Sequence, residues 1–276
     1  MISPLLLEKY EKLKEDLIKY KGVSVAFSSG VDSTFLLYAA HDALGDNALA
    51  ITAESNSFPK RESMEARDYC KELGVKQLIC HPEELQIEEF VNNPVNRCYI
   101  CKKEIFTQII KLAKEYNTGI VVEGSNLDDN GDYRPGHQAI KELGVKSPLR
   151  DCGFTKAEIR ELSNYFNIPT WDKPSYACLA SRFPYGEKIT AEKLDMVDKA
   201  EQYIMDLGFR QVRVRIHDKI ARIELLAEDM DRFMDVKIRE SVYEEFKKIG
   251  FEYTALDLKG YRTGSLNENL NKKAHK

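Results

Sequence analysis

Long hydrophobic runs and a strong net charge are both missing from the 276-residue sequence. No apolar stretch approaches the roughly 20 residues that a membrane-spanning helix needs. The amphipathic N-terminal segment also lacks the apolar core and cleavage site of a signal peptide. The net charge of −4 disfavours a nucleic-acid surface over the whole molecule but leaves room for a local basic cleft. We therefore expect a cytoplasmic protein with no membrane partner, for which nucleic acid is an unfavoured partner.

Cysteine is scarce too, with six residues in the chain. So few thiols at this length do not make a disulfide scaffold, and in a reducing compartment clustered cysteines are typical of metal or catalytic sites. Cys70 lies in a helical pattern and Cys80 ends an apolar strand, so we interpret both as small core hydrophobes. We interpret Cys152 as structural as well.

Cys98 and Cys101 form a CxxC pair in "NRCYICKK". That spacing is typical of half a metal site, of one redox pair or of two buried cysteines. No further Cys or His follows before His137, so a metal here would need a ligand from a distant part of the chain. Four histidines have no partner at metal-ligand spacing, and we interpret them as structural or solvated: His41, His81, His137 and His217.

Strands and helices alternate over the first two thirds of the chain. Short β-branched runs such as "GVSVAF" suit strands that are buried on both faces. Thr155, with Glu158 three residues later, predicts a capped helix start. The alternation predicts an α/β fold with a Rossmann-like parallel sheet. The predicted strands are 22–27, 48–53, 75–80 and 119–124, and the predicted helices are 34–44, 61–73, 98–116 and 155–166.

The pattern changes after "PYGEKIT". A predicted helix over 190–207 precedes "RQVRVRI" and "IARIELL", which alternate about a short "HDK" turn. A predicted helix over 229–248 then precedes the last strand, "EYTALDL". This order predicts a smaller α+β domain with an antiparallel hairpin. We expect residues 1–186 to form the first domain and residues 187–276 the second.

The stretch "AFSSGVDS" joins the first strand to its helix, at the carboxyl end of a parallel strand. Small residues let the backbone wrap an anion, and the N–H groups at the helix start point toward it. Serine hydroxyls can add donors, and Asp32 can cap the helix or help to hold Mg²⁺. An ordinary Ser/Asp-rich helix cap is the alternative. The candidate nucleotide-binding residues are Ala26, Ser28, Ser29, Gly30, Asp32 and Ser33.

This loop resembles the SGGxDS loop of the PP-loop ATP pyrophosphatase superfamily, whose members cleave ATP between the α- and β-phosphates to adenylate a carbonyl. Gly30, Asp32 and Ser33 match that loop, and the resemblance implies ATP and Mg²⁺ as cofactors. Ser29 replaces the first glycine of the motif. A side chain there narrows the loop or requires a φ that serine tolerates.

Four further stretches resemble the LarE family, sulfur transferases that mature the nickel-pincer nucleotide cofactor of lactate racemase. They are "EGSNLDDNGDYRPG", "SYACLASRFPYG", "VRVRIHDKIARIEL" and "FEYTALDLKGYRTG", and the resemblance extends over about residues 10–267. It implies that ATP adenylates a pyridinium biscarboxylate mononucleotide, which then receives sulfur to become a thiocarboxylate. It also implies an upstream sulfide or sulfur donor and a homo-oligomer, either a dimer or a hexamer.

Cys178 matches the sulfur-donating cysteine of that family. A lone thiol in such a stretch is otherwise typical of a buried structural cysteine. The nearby Ser181 and Arg182 favour the functional interpretation, because a cation lowers the pKa of a thiol and offers an anionic substrate a partner. We therefore expect Cys178 and Arg182 to act in catalysis, and Ser181 and Arg182 to bind the substrate.

Arginines alternate with apolar residues along the predicted hairpin, so Arg213, Arg215 and Arg222 share one face. Such a face is either solvated or a phosphate clamp. The resemblance assigns phosphate binding, and with it a catalytic role, to Arg213 and Arg215. It assigns Glu224 to a metal, here Mg²⁺, or to subunit contacts.

The stretch "EGSNLDD" follows the fourth predicted strand, at the same sheet edge as the phosphate loop. By resemblance, Gly124 passes near the nucleotide, and Asp128 or Asp129 can hold Mg²⁺. An ordinary Asn/Asp-rich turn is the alternative.

The resemblance also supplies a distant ligand for the CxxC pair. Members of one branch of the family lack the pair. Their single cysteine gives up its own sulfur, so each enzyme molecule completes one turnover. This chain resembles a second branch, in which three cysteines, here Cys98, Cys101 and Cys178, hold a [4Fe–4S] cluster. Three thiolates leave one iron open to bind and deliver an extra sulfide. The alternatives are zinc, which would want a fourth ligand, a redox pair and two core cysteines.

Three rival functions stay open. A tRNA thiolase shares the loop and often the three cysteines, but it usually carries zinc ribbons or a basic RNA-binding domain that this acidic sequence lacks. An amide-forming synthetase would not need three cysteines. A nucleotide-binding sensor would release no pyrophosphate.

Overall fold

A computed structural model describes residues 2–131, 135–174, 178–262 and 264–267. The chain divides into two compact units, Met1–Glu84 with Asn96–Tyr176 and Leu85–Val95 with Ala177–Lys276. No helix among the described residues is both long enough and apolar enough to span a bilayer.

Strands and helices alternate in the first unit, whereas the second has its strands close together in the chain. The helices are α1 Pro4–Ile18, α2 Val31–Leu44, α3 Lys60–Leu73, α4 Glu88–Val91, α5 Arg97–Glu115, α6 Pro135–Glu142, α7 Pro148–Asp151, α8 Lys156–Tyr165, α9 Ala191–Asp206, α10 Met230–Phe233 and α11 Val236–Ile249. The strands are β1 Val23–Ala26, β2 Ala48–Ala53, β3 Gln77–Cys80, β4 Ile120–Val122, β5 Val212–His217, β6 Ile220–Leu225 and β7 Tyr253–Leu256.

The first unit is built on a four-stranded parallel sheet with the strand order β3-β2-β1-β4. β1 pairs with β2 on one side and with β4 on the other. Val23 and Val25 are buried, as is nearly all of β2, because helices cover the sheet. The predicted Rossmann-like parallel sheet is therefore confirmed.

Helix α2 packs on β1 and β2 and against α1 and α8, while α5 packs against β2, β3 and β4. The start of α8 carries the predicted capping box, in which Thr155 and Glu158 each bond to the backbone N–H of the other. The main hydrophobic core forms where these helices meet the sheet. It includes Leu13, Phe35, Leu36, Phe154 and Leu162.

The second unit contains a three-stranded sheet with the order β5-β6-β7, in which β5 and β6 are antiparallel and β6 and β7 are parallel. Asp218, in the left-handed region at φ 53°, lies in the hairpin turn. The register places Arg213 opposite Glu224 and Arg215 opposite Arg222. The predicted smaller α+β fold with an antiparallel hairpin is confirmed.

The segment Leu85–Val95 belongs to the second unit, which the sequence pattern did not predict. The carbonyl of Val91 accepts the N–H of Ile189, and the carbonyl of Asn93 accepts the N–H of Gly186, both at 2.9 Å. These backbone bonds tie the segment to the chain that leads into α9.

The helix predicted over 229–248 is wrong in its extent, because α10 and α11 occupy this region instead. The side chain of Asp235 accepts hydrogen bonds from the N–H groups of Lys237 and Ile238, as an N-cap does. An aspartate in this position starts a new helix, so the continuous helical period of the sequence concealed the break.

Candidate functional site

The phosphate loop lies at the carboxyl edge of the parallel sheet, between Ala26 at the end of β1 and Val31 at the start of α2. Gly30 is the N-cap of α2 and has no side chain with which to cap the helix. The first-turn N–H groups can therefore be satisfied by a ligand, at the end of the helix where the dipole is positive. This arrangement suits a bound anion.

Ser29 adopts a backbone conformation that usually belongs to glycine. Its φ is 54°, and its side chain is buried. A left-handed conformation costs a residue other than glycine roughly 1–2 kcal/mol. The Ser29 hydroxyl donates to the carbonyl of Glu62 at 3.0 Å, and the Ser29 carbonyl accepts from Lys173 Nζ at 2.9 Å. These bonds offset the strain and show how serine fits where the motif has glycine.

Ser28 and Ser33 join the two ends of the loop. Their hydroxyl oxygens lie 3.1 Å apart, and the N–H of Ser28 donates to Ser33 Oγ at 3.3 Å. The Ser33 hydroxyl also lies 3.2 Å from the carbonyl oxygen of Gly30. The loop is therefore held in one shape by its own side chains.

Gly124 lies directly against the start of α2. A Cβ built on Gly124 would be 2.9 Å from the backbone nitrogen of Ser33 and 3.1 Å from the carbonyl carbon of Asp32. Only glycine lets the turn after β4 come this close to the phosphate loop. From the same turn, Asn126 donates to Asp32 Oδ1 at 3.2 Å. The structure thus brings the two stretches together at one sheet edge.

The candidate magnesium ligands near this loop differ in their surroundings. Asp32 lies in the first turn of α2, directly after the loop, with its second oxygen 2.6 Å from Lys156 Nζ. Asp129 accepts the N–H of Asn126 at 2.9 Å, and so closes its own turn. Of the two, Asp32 better fits a cation shared with nucleotide phosphates, which Mg²⁺ usually is. Within the described part of each unit, no three His, Cys, Asp or Glu side chains come together as a metal site.

Cys98 lies in the first turn of α5 and Cys101 one turn further along, and Cys98 is exposed whereas Cys101 is buried. Residues three apart share one side of a helix. Of the basic residues that flank the pair in the sequence, Arg97 is buried, and Lys103 Nζ lies 3.3 Å from the Tyr99 hydroxyl. The pair therefore spans the transition from the surface of the first unit to its interior.

Cys178 belongs to the second unit, half-buried just before the 3-10 turn Leu179–Arg182. Arg182 Nη1 donates to the carbonyl of Cys178 at 3.1 Å and to Ser181 Oγ at 2.9 Å, which fixes the backbone beside the thiol. The guanidinium is fully buried and also pairs with Glu201, with both N–O distances 2.7 Å. Substrate binding by Arg182 and Ser181 stays a prediction.

The arginine face of the hairpin is covered, since Arg213 is only 3% and Arg215 only 7% exposed. Arg215 donates to the carbonyl of Ser181 at 2.7 Å and to Glu224 at 2.9 Å. Its buried Nε has no hydrogen-bond partner in the described part of the chain. Burial and the neighbouring Arg182 lower the pKa of Arg213 to about 10, which leaves it charged at neutral pH.

Glu224 lies fully buried between two arginines, 2.9 Å from Arg215 and 3.0 Å from Arg222. Each carboxylate oxygen already faces a guanidinium. These surroundings do not fit a magnesium ligand, which would be expected to combine carboxylate oxygens with water or phosphate.

Sequence patterns missed three charged residues at these sites: Lys156, Lys173 and Glu201. Lys156 is 124 positions from Asp32, and Lys173 is 144 positions from Ser29. Glu201 lies on α9 and reaches both Arg182 and the N–H of Val214. Contacts this distant leave no local signal in the sequence.

The parallel sheet and the glycine-capped phosphate loop at its carboxyl edge define a PP-loop enzyme that uses ATP. No protein-family model matches the chain. The chain is 36% identical over 251 residues, 91% of this chain and 90% of the relative, to the pyridinium-3,5-bisthiocarboxylic acid mononucleotide synthase of Lactiplantibacillus plantarum. It therefore belongs to the LarE family of ATP-dependent sulfurtransferases.

Two other relatives are similar to this chain. An uncharacterized protein of Synechocystis is 43% identical over 269 residues, 97% of this chain and 100% of the relative. A subunit of the glutamine-hydrolyzing GMP synthase of Saccharolobus solfataricus is 24% identical over 217 residues, 68% of this chain and 57% of the relative. The more distant likeness is consistent with the PP-loop class.

Proposed function

We propose that this protein activates a carboxylate of pyridinium-3,5-biscarboxylic acid mononucleotide with ATP and replaces the resulting AMP by sulfur. The carboxylate oxygen attacks the α-phosphorus, and pyrophosphate leaves. A sulfur nucleophile then attacks the acyl carbon, and AMP leaves with the former carboxylate oxygen, so the product is a thiocarboxylate. The observation that carries this proposal is the 36% sequence identity to a synthase that is named for the bisthiocarboxylic acid mononucleotide. The aligned region covers 91% of this chain and 90% of that synthase.

The phosphate loop supports the first step. A carboxylate is a poor electrophile, and only its mixed anhydride with AMP has a good leaving group. The N-terminal end of α2 and the hydroxyls of Ser28 and Ser33 surround a place for phosphate oxygens. Asp32, on the same turn, would share Mg²⁺ with these oxygens.

The arginine face of the hairpin suits the phosphate of the mononucleotide substrate. Three buried guanidinium groups lie together here with two buried carboxylates. Guanidinium groups bind phosphate oxygens in bidentate pairs, so several of them at one place suit an incoming phosphate dianion. The buried Nε of Arg215 would gain a partner at the same time. The residues concerned are Arg182, Arg213 and Arg215 with Glu201 and Glu224.

A [4Fe–4S] cluster held by Cys98, Cys101 and Cys178 is the proposed sulfur source. The donor set fits, because thiolates are the ligands that iron–sulfur clusters prefer and two of the three lie on one side of α5. When bound, the cluster would supply an iron with an open position for an extra sulfide. The bond from Arg182 to the Cys178 carbonyl would orient that thiol.

Sacrificial transfer of the Cys178 sulfur is the second candidate. One observation favours it, since the buried Arg182 donates to the Cys178 carbonyl and so places a cation beside this thiol, which lowers the pKa of a thiol without any metal. In that case the thiol of Cys178 would itself attack the acyl adenylate, and AMP would leave. Loss of the Cα proton of residue 178 would then break its Cβ–Sγ bond by β-elimination, which releases the thiocarboxylate and leaves dehydroalanine in the chain.

Anaerobic reconstitution with iron and sulfide, followed by ATP-dependent thiolation of the mononucleotide, separates the candidates. We expect a brown protein with about four irons per chain and several turnovers. Cys98→Ala, Cys101→Ala and Cys178→Ala should each lose iron, whereas Cys152→Ala, which changes a cysteine outside the proposed ligand set, should keep it. A colourless protein that loses one sulfur from Cys178 per turnover would favour sacrificial transfer.

The partners in this proposal are a small-molecule nucleotide, an upstream sulfide or sulfur donor and further copies of the chain in a dimer or hexamer. Light scattering on the purified protein tests the assembly. A change in thiolated nucleosides in a deletion strain would favour the rival tRNA thiolase instead.

A further inference from the structure

The carboxylate of Glu123 is buried directly after β4, in the turn that contacts the phosphate loop. Its Oε2 accepts the N–H of Ser125 at 3.0 Å and the Ser125 hydroxyl at 2.8 Å. Its Oε1 accepts the hydroxyl of Ser147, and Ser147 Oγ itself accepts a hydrogen bond from Arg150 Nη2 at 3.0 Å. Both carboxylate oxygens therefore already have donors within the first unit, and these bonds hold the Glu123 side chain in one place.

Ser147 bonds to Glu123 in place of an ordinary local partner. It is the N-cap of α7, a position where a serine side chain usually accepts a backbone N–H of the first turn. The Ser147 side chain makes no such cap bond and donates to Glu123 instead. The carbonyl of Lys146, the preceding residue, accepts the N–H of Glu123 at 2.9 Å. The bond between the two side chains therefore joins neighbouring segments at the carboxyl edge of the sheet.

Glu123 bonds across Gly124 to the residue that follows it, and so restricts the turn at that glycine. A Cβ built on Gly124 would be 2.9 Å from the backbone nitrogen of Ser33, so the turn lies against the start of α2. Asn126, in the same turn, donates to Asp32 Oδ1 at 3.2 Å. A shift of the turn would therefore move both a wall of the phosphate loop and a hydrogen-bond partner of Asp32.

We propose that Glu123 is a positioning residue of the ATP site, which acts on the nucleotide through the turn after β4 and contacts none of its atoms. A carboxylate only accepts hydrogen bonds, so it suits a place where three donors converge. Groups that are already ordered bind a ligand more tightly, because no further ordering is needed when the ligand arrives. This role of Glu123 rests on the ATP-using part of the proposed function and is independent of the sulfur source.

Calorimetric titration of the full chain with ATP, at a temperature where every variant is folded, tests this role. We expect Glu123→Ala to bind ATP about tenfold or more weakly, as is typical when the support behind a binding group is removed. Ser147→Ala, which removes one donor to the carboxylate, should bind ATP about threefold or more weakly. The matched control is Ser24→Ala. Ser24 is also buried, and its hydroxyl donates to the carbonyl of Thr118 at 3.3 Å, at the amino edge of the sheet.

A role in stability alone makes a different prediction. Ser147→Ala and Ser24→Ala each lose the hydrogen bonds of a buried hydroxyl, so both should lower the melting temperature. Only Ser147→Ala should also lower the affinity of the folded protein for ATP. Wild-type ATP affinity in both Glu123→Ala and Ser147→Ala would overturn the proposal. An equal loss of affinity in Ser24→Ala would overturn it too.

A double variant tests whether Glu123 acts through the turn. If Glu123 places Asn126 beside Asp32, then Asn126→Ala already removes much of what Glu123 supplies. The protein with both Glu123→Ala and Asn126→Ala should then lose less ATP affinity than the product of the two single losses. Losses that multiply in full would overturn the assignment to the turn. ATP affinity that depends on Glu123 in a protein that thiolates nothing would uphold this role while refuting the proposed sulfur transfer.

Discussion

The guanidinium of Arg182 and the carboxylate of Glu201 form a two-point ion pair inside the second unit, with both N–O distances 2.7 Å and neither side chain exposed. Glu201 also accepts the N–H of Val214 at 2.8 Å, and Arg182 donates to the carbonyl of Cys178. The pair therefore joins α9, β5 and the turn that carries the candidate sulfur-handling cysteine.

Glu201→Gln should destabilise the protein strongly, because it leaves the Arg182 guanidinium buried without its charge partner. Removing one member of a buried pair typically costs about 3–5 kcal/mol. We expect a loss of that size in the free energy of unfolding, measured by denaturant titration at pH 7. The control Glu245→Gln removes the half-buried partner of the exposed Lys248 and should cost less than about 1 kcal/mol. Equal stability of the two variants would contradict this account.

The same pair predicts a pH dependence. Burial by itself raises the pKa of Glu201, but Arg182 and the Val214 N–H outweigh burial and hold the pKa below its ordinary value of 4.5. A lowered pKa gives stability that is present above pH 4.5 and is lost as the pH falls through the lowered pKa. The difference in unfolding free energy between the wild type and Glu201→Gln should therefore shrink below that pH.

Gly124→Ala should disrupt the phosphate loop, because the added methyl group would lie 2.9 Å from the backbone nitrogen of Ser33. Backbone atoms cannot move aside as a flexible side chain can, and overpacking of this kind typically costs about 1–3 kcal/mol. We expect weaker ATP binding in a calorimetric titration. The control is Gly22→Ala, where the nearest atom to the added methyl is 3.4 Å away. Wild-type ATP affinity in the Gly124 variant would show that the turn after β4 can shift.

Ser29 offers a graded test of backbone strain, since its φ is 54°. Ser29→Gly relieves a strain of roughly 1–2 kcal/mol but loses the bond to the Glu62 carbonyl and makes the unfolded chain more flexible, each worth about 1 kcal/mol. We expect its stability to stay within about 1 kcal/mol of the wild type. Ser29→Val, which is β-branched, should bind ATP at least about tenfold more weakly. Weaker ATP binding by Ser29→Gly than by Ser29→Val would contradict the strain argument.

Local signals were sufficient for most of the fold. Thr155 and Glu158 predicted the capping box of α8, and strict alternation predicted the hairpin whose register pairs Arg213 with Glu224. The same local period failed at Asp235, where a side-chain cap divides a continuous helical pattern into α10 and α11. Periodicity shows which face of an element is apolar, and it does not show where the element ends.

The surroundings of the candidate site could not be predicted without the folded structure. Alternation placed the arginines on one face, but it could not show that this face is covered by the turn at Ser181 and by Tyr261 and Ser265. In the same way, no pattern linked Lys173 to a loop that lies 144 positions earlier in the chain. Burial of charged side chains depends on which distant segments pack over them, and that information is not local.

The cysteines should differ in their reactivity toward iodoacetamide. Burial raises the pKa of the Cys70 thiol to about 12 and those of Cys80 and Cys152 to about 11, so few of these thiols are ionised at pH 8. Cys98 is exposed at the start of α5 and should be alkylated first in the metal-free protein. Peptide mass spectrometry over a time course checks the order. Labelling of Cys70 as fast as Cys98 would show that the first unit opens readily in solution.

Glu224 tests whether this buried carboxylate holds magnesium. One of its oxygens faces Arg215 and the other faces Arg222, so Glu224→Gln removes a partner from two guanidinium groups and should lower the unfolding free energy. The Glu224→Gln variant should need the same Mg²⁺ concentration as the wild type for a half-maximal rate of pyrophosphate release. Asp32→Asn, at the phosphate loop, should raise that concentration, because Asp32 is the carboxylate placed to share a cation with phosphate oxygens. The reverse result, with Mg²⁺ dependence altered by Glu224→Gln and not by Asp32→Asn, would place the cation at the arginine face of the hairpin.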